Sequence, residues 1–353
     1  MTIIALLTTL SSAAALFIIV NGKFSMEEIV GPIGVTLLWT ATLARTLQLK
    51  RKQTKKLVNN ILTFEKRILD SQDEDIIDIF TRYALRNVLI SKIYTIGVAL
   101  DFLTYGFLPL LQSNPTSTKK TLPIVLWMPF NEQEHFTVAY AITCFYGFTI
   151  CLFVLSADIF SFGLIIFPLS QLEILQQIFR NFDKYAIKMR SQLNTSWSKA
   201  RMATLKKCVN LHQEIIQYIK DYNDLFRTVT LFDAIQSSVQ LSSIVLEVVM
   251  TGPTLTKLLE AASFASSTLI RLFIYYWYAD DVLIQSTRIT QALIDSNWHE
   301  QPIEIQKMML FIIMRSNRQL KMDLGQFTNM SLNVFITIIR ASYSYFTLVY
   351  GTN

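Results

Sequence analysis

The chain has 353 residues, of which 52% are hydrophobic, 12% aromatic and only 16% charged, with a formal net charge of +6. Soluble domains carry roughly a quarter of their residues as Asp, Glu, Lys or Arg, so this chain lacks the polar surface that a water-soluble globule of its length needs. The apolar content excludes a disordered chain, three cysteines exclude a disulfide scaffold, and ten glycines and eight prolines exclude a collagen-like or linker composition.

A bilayer-spanning helix needs about 20 mostly apolar residues, and seven such runs follow one another. The first, residues 3–20, is followed by Asn21-Gly22. It reads as a retained helix rather than a signal peptide, because no basic stretch precedes it and the apolar run continues past the small residues Ser11 to Ala15. The second, 29–44, closes at Arg45, and the third, 88–111, runs out into Ser113-Asn114-Pro115. The fourth, 136–167, is longer than a crossing requires. The fifth, 229–250, stops at Thr251-Gly252-Pro253, the sixth, 258–278, at Asp280-Asp281, and the seventh covers 332–350.

Basic residues sit in alternate connections. Residues 49–85 hold eight Lys and Arg, 168–228 hold ten and 280–325 hold five, against Lys23, Lys119, Lys120 and Lys257 on the other side. The positive-inside rule places the first set in the cytosol. The expected fold is therefore an all-α membrane protein with seven transmembrane helices, N-terminus cytosolic and C-terminus extracellular, the reverse of a G-protein-coupled receptor. The same asymmetry accounts for the positive charge without a nucleic-acid partner.

The cytosolic connections are themselves patterned. Met202, Leu205, Val209, His212, Ile216, Ile219, Tyr222 and Phe226 recur every three or four residues, as do Leu172, Leu175, Ile178, Phe179 and Phe182 upstream. These are amphipathic helical stripes. They predict that the fourth, fifth and sixth helices extend into the cytosol and pack there as a helical anchor layer, either against other subunits or as the chain's own hairpin. The whole of 1–353 reads as a single heptahelical membrane domain, with cytosolic extensions at about 168–228 and 280–325 and a last helix at about 328–350. The sequons at Asn194 and Asn329 both fall on the cytosolic side and are expected to stay unglycosylated.

Chemistry-bearing patterns are few. His135, His212 and His299 are isolated from one another and from metal-spaced ligands, and His212 reads as a packed histidine. There is no phosphate-binding glycine loop, nucleophile elbow or His-Glu-x-x-His helix. Neither a cofactor, a metal nor catalysis is expected. Cys144 and Cys151 share a helical face and read as small buried hydrophobes. Asp101, deep in the third span, is either a ligand or ion contact in the outer half of the bundle or a structural hydrogen-bond partner. Gln236, Ser237, Ser238 and Gln240, and Ser263, Ala265, Ser266 and Ser267, suit close helix packing.

A series of motifs runs along the chain from residue 127 onwards. It begins with Trp127-Met128-Pro129-Phe130-Asn131 and continues with Tyr275-Tyr276-Trp277-Tyr278-Ala279-Asp280-Asp281, then Gln285-Ser286, Trp298 and Pro302. Met309-Leu310, Arg315-Ser316, Gly325 with Phe327, and Ala341-Ser342-Tyr343-Ser344-Tyr345-Phe346 complete it. The series closely resembles the insect odorant receptor family. Two departures stand out: the family usually has a longer segment before its first helix, and it often has Gly where Ala279 stands. The resemblance implies a tuning subunit of an odorant-gated, non-selective cation channel, a heterotetramer with a common co-receptor in the plasma membrane of sensory-neuron dendrites. The competing classes read less well. A G-protein-coupled receptor needs the opposite orientation and motifs that are lacking here, and a transporter would favour repeated halves.

The resemblance also implies a pocket in the outer half of the bundle for a small volatile odorant. Candidate contacts there, chosen as aromatic or small polar side chains, are Thr36, Trp39, Phe102, Tyr105, Tyr140, Phe264 and Ser267. In the seventh helix, Asn333, Thr337, Arg340 and Ser344 form a polar stripe on an otherwise apolar helix, and one more turn reaches Leu348. Such a stripe suits either a water-filled conduit or hydrogen bonding between helices of one subunit. The resemblance points to the conduit, with Leu348 as an apolar gate and Gly351 and Thr352 at the outer mouth.

Overall fold

Six of the seven predicted spans fall within helices of the computed structural model, which describes residues 26–112, 122, 124, 128–252 and 254–351. The first span, the Ser113-Asn114-Pro115 loop, Trp127 and Thr352 lie outside the described residues. In chain order the helices are α1 (Met26–Leu49), α2 (Lys52–Asp70), α3 (Glu74–Gln112), α4 (Phe136–Arg180), α5 (Phe182–Leu193), α6 (Trp197–Thr251) and α7 (Leu255–Ile294). A 3-10 turn (Trp298–Glu300), α8 (Ile303–Ser316), the strands β1 (Asp323–Leu324) and β2 (Thr328–Asn329), and α9 (Leu332–Gly351) follow. The protein is an all-α membrane protein.

Helix length separates the part in lipid from the part in water. The 55 residues of α6 extend about 80 Å at 1.5 Å per residue, against roughly 30 Å of hydrocarbon. The excess of α3, α4, α6 and α7 emerges at the basic end. Within the bilayer, Leu89, Ile93, Ile96, Leu100, Leu103 and Phe107 mark successive turns of α3 and are exposed, whereas Tyr94, Val98 and Asp101 on the other face are buried. An apolar face uncovered by the chain is what a lipid-facing helix presents.

The cytosolic layer is where packing is most complete. Leu164, Ile165, Leu169, Leu172, Leu175 and Phe179 of α4 are fully buried, together with Leu205 and Tyr222 of α6, Val282, Ile289 and Leu293 of α7, and Met309 of α8. Both stripes read from the sequence therefore find cover within the chain itself. Around the rim Arg67 grips Glu214 at 2.8 and 3.0 Å, Lys56 reaches Asp221 at 2.8 Å and Lys188 reaches Asp73 at 2.9 Å. Exposed pairs of this kind contribute little to stability but hold α2 and α5 in register.

His212 is a core member of this layer. Burial, and secondarily the nearby Arg315 guanidinium, press its pKa down to about 4 from the usual 6.5. Above pH 6.5 the imidazole is neutral in both folded and unfolded chains, and no penalty arises. As pH falls from 6.5 towards 4 the unfolded chain takes up a proton that the folded one refuses, so stability declines by about 2 kcal/mol at pH 5. A thermal midpoint that drops between pH 7 and pH 5, with that part of the drop absent in His212→Leu, is the expected result. Equal pH dependence in the two proteins would contradict it.

Residues 280–325 are not helical throughout, in contrast to the extension read from the sequence. Helix ends at Ser316, and a two-residue antiparallel hairpin follows, pairing Asp323 with Asn329 and Leu324 with Thr328. Gly325 makes the turn possible with φ +65°. Its N–H donates to the carbonyl of Arg227 at 2.8 Å. Asn223 fastens β1 from both sides, donating to the Lys321 carbonyl at 2.8 Å and accepting from the Asp323 N–H at 3.0 Å. The hairpin thus docks on α6 and sets where α9 begins.

Candidate functional site

Four charged side chains meet where the spans approach their cytosolic ends. Arg45 of α1 donates to Asp158 of α4 at 2.6 Å, and its other arm pairs with Asp233 of α6. Arg271 of α7 holds both carboxylate oxygens of Asp233 at 2.9 and 3.0 Å and donates to the Ser237 hydroxyl at 2.8 Å. The hydroxyls of Tyr94 and Tyr275 donate to Asp158 at 2.7 and 3.0 Å. Asp158 is wholly inaccessible. Two cations and two anions cancel, and the tyrosine and serine hydroxyls occupy further hydrogen-bonding positions, the condition under which ionised groups persist in a low-dielectric interior. Sequence reasoning passed over this cluster. Its signal was available as opposite charges inside three apolar spans.

Directly outward lies a cavity of about 150 Å3 among α1, α3, α4, α6 and α7. Tyr94 and Arg271 close its inner end, already engaged with the ion cluster. Its walls include Val98, Asp101, Phe102 and Tyr105 of α3, Gly147, Ile150 and Cys151 of α4, and Phe264, Ser267 and Thr268 of α7. Rings meet edge to face at Tyr105–Phe264, 5.5 Å between centroids, and at Phe102–Phe148, 5.7 Å. Asp101 is buried and accepts the Ser263 hydroxyl at 2.5 Å. Gln240, also in the wall, accepts from Gln236 at 2.5 Å. Several serines and glutamines read as packing residues thus form the polar part of this region. A mostly apolar concavity with a few converging polar groups is the usual form of a small-molecule site.

Of the candidate contacts, Phe102, Tyr105, Phe264 and Ser267 line the cavity. The other three lie outside its lining. Trp39 is buried in a separate cluster with Tyr146 and Ile150, its ring 5.2 Å from that of Tyr146. Tyr140 donates its hydroxyl to the Gly106 carbonyl, and Thr36 is half-buried on α1.

On α9 the polar stripe faces away from the chain's own helices. Asn333, Thr337, Arg340 and Ser344 are all exposed, and Leu348 is 66% exposed. Thr337 and Ser344 donate to the carbonyls of Asn333 and Arg340 one turn back, at 2.9 and 3.0 Å. The Asn333 and Arg340 side chains make no hydrogen bond or ion pair among the described residues. The opposite face carries Phe335, whose ring meets Phe273 at 5.8 Å and Tyr276 at 6.5 Å on α7.

Together these features define a multi-pass helical membrane protein with a small cavity in the outer half of its bundle and an uncovered polar face on its last helix. A family model described as 7tm Odorant receptor matches residues 25–343, and the chain belongs to that family. The resemblance read from the sequence motifs is thereby confirmed. Odorant receptor 30a of Drosophila melanogaster is 26% identical over 349 residues, covering 93% of this chain and 85% of that one. Odorant receptor Or2 of Anopheles gambiae is 26% identical over 214 residues, 61% of this chain. The chain spans 56% of the length of Or2 and the same share of odorant receptor 10 of Aedes albopictus. Among solved structures, the olfactory receptor OR5 from Machilis hrabei in complex with eugenol superposes with a TM-score of 0.79 at 15% identity, covering 100% of this chain and 88% of that one. A second structure of the same receptor gives 0.78.

Proposed function

We propose that this chain is a tuning subunit of an odorant-gated, non-selective cation channel, assembled with a co-receptor in a heterotetramer in the plasma membrane of chemosensory neurons and acting at the dendrite. The observation that carries this reading is the stripe of Asn333, Thr337, Arg340 and Ser344. A lipid-facing helix gains nothing from such a face, and the chain's own helices do not cover it. A water-filled conduit completed by other subunits needs it. In this reading Leu348 is the apolar gate, with Gly351 and Thr352 at the outer mouth. The cytosolic layer serves as the anchor of a single heptahelical domain.

The outer cavity is the odorant site in the same reading, with Phe102, Tyr105, Phe264 and Ser267 as its contacts. Trp39, packed against Ile150 of its wall, tunes it from behind. Burial of a small volatile contributes at about 25 cal/mol per Å2. α7 carries the signal: Phe264 and Ser267 face the cavity, and Phe273 and Tyr276, about two and a half turns inward, meet Phe335 of α9.

The test is excised-patch recording of the chain expressed with an insect co-receptor. Leu348→Ala is expected to raise resting leak, because a smaller ring no longer dewets the constriction. Ser344→Asp and Thr352→Asp are expected to shift the reversal potential towards cation selectivity. Unchanged leak and reversal potentials at normal surface expression would remove α9 from the conduction path. Currents that require a G protein would replace the channel reading with a receptor one.

A further inference from the structure

We propose that the outer cavity takes a small lipophilic amine, its ammonium group held on Asp101 and its hydrocarbon against the surrounding rings. This rests on reading the cavity as the odorant site and specifies the chemistry of what enters it. Asp101 is 8% exposed, lines the cavity and has the hydroxyls of Ser263 and Ser267 but no cation as partner among the described residues. A carboxylate in the membrane interior is costly unless paired. The basic side chain in the cavity wall cannot serve, because Arg271 is committed to Asp233 and Ser237. It also lies eight residues, about 12 Å, along α7 from Ser263. A neutral ligand gives the Asp101 carboxylate no countercharge, whereas an ammonium does.

Two further observations point the same way. Tyr105 and Phe264 place aromatic rings in the same cavity wall as Asp101, and aromatic ring faces attract ammonium groups. Tyr105 also borders a recess of about 20 Å3 that holds Glu247 of α6 and Glu260 of α7, with Lys257 as its basic residue. Among the residues bordering that recess the acidic side chains outnumber the basic one two to one, which favours a cation over an anion beside it. As for size, a dry cavity of about 150 Å3 in another protein admits benzene, so a single ring or a chain of roughly six to eight carbons is the expected frame.

Matched ligands decide it. The full chain is expressed with a co-receptor, and currents are compared for benzylamine, benzyl alcohol and toluene, and for hexylamine and hexanol. Each amine is expected to reach half-maximal response at least about tenfold below its alcohol, since charge-assisted hydrogen bonds are roughly twice as strong as neutral ones. In Asp101→Asn that ratio is expected to collapse to within about threefold. Alcohols or toluene gating as well as the amines in wild type would overturn the amine assignment and leave the odorant-site reading intact. The purified full chain is tested in parallel by thermal shift with the same compounds. Stabilisation by amines above alcohols without any current would keep the assignment and overturn the channel reading. If Asp101→Asn fails to reach the surface, the wild-type ratios and the thermal shifts still decide.

Discussion

Asp233→Ala is expected to lower the stability of the folded chain by about 3–5 kcal/mol, the cost of breaking a buried ion pair from one side. The carboxylate lies between two guanidinium groups, Arg45 and Arg271. Removing it leaves those two cations near each other, with Asp158 as the remaining anion of the cluster. Thermal unfolding of the purified protein measures the loss. The mechanism has its own control: Asp233→Leu combined with Arg271→Leu deletes one anion and one cation, leaves the Arg45–Asp158 pair in place, and is expected to recover most of the stability. Paired removal is tolerated because the expense lies in the uncompensated charge rather than in the lost attraction. If the double substitution is as unstable as the single, packing rather than charge governs this site.

Gly325→Val is expected to cost about 2–6 kcal/mol, from two separate sources. A β-branched residue at φ +65° carries roughly 1–3 kcal/mol of backbone strain. An added Cβ at that position would also stand 2.8 Å from Cδ2 of Leu231 and 3.4 Å from its Cβ and Cγ, an overpacking that costs roughly another 1–3 kcal/mol. The two parts can be separated. Leu231→Ala removes the clashing atoms and leaves the backbone strain, so Gly325→Ala is expected to cost less in the Leu231→Ala background than in the wild-type chain. Because the hairpin fixes the start of α9, reduced ligand-evoked current at matched surface expression is expected alongside the loss in stability. A fully stable Gly325→Val protein would show that the turn is free to rearrange.

The membrane class, six of the described helices and the cytosolic stripes were legible in the sequence by rules that act on one segment at a time. Span length, charge asymmetry and the period of three to four each read a helix without reference to its neighbours. His212 was legible too, as an imidazole on an apolar face. The hairpin was not, because two-residue strands carry almost no alternation, and the cue was a single glycine. The site was half legible. Aromatic and small polar residues of the outer half could be named from span position, yet that position does not reveal which of them share a cavity. Trp39 and Tyr140 satisfy the same rule as Phe102 and Phe264, but they pack elsewhere.

By itself the sequence determined that this chain crosses a membrane, how its basic ends are sorted, and which helical faces are apolar, since lipid imposes a length and polarity rule on every helix separately. Only the tertiary structure decided which charges meet. Arg45 and Asp158 are 113 residues apart, and Asp233 and Arg271 are 38 apart. Periodicity assigns each to a face but cannot choose the partner opposite. The same limit applies to α9, where the stripe could be read from spacing alone. That it turns away from α6 and α7 depends on how Phe335 packs against Phe273 and Tyr276, because the rotation of a helix about its axis is set by its neighbours.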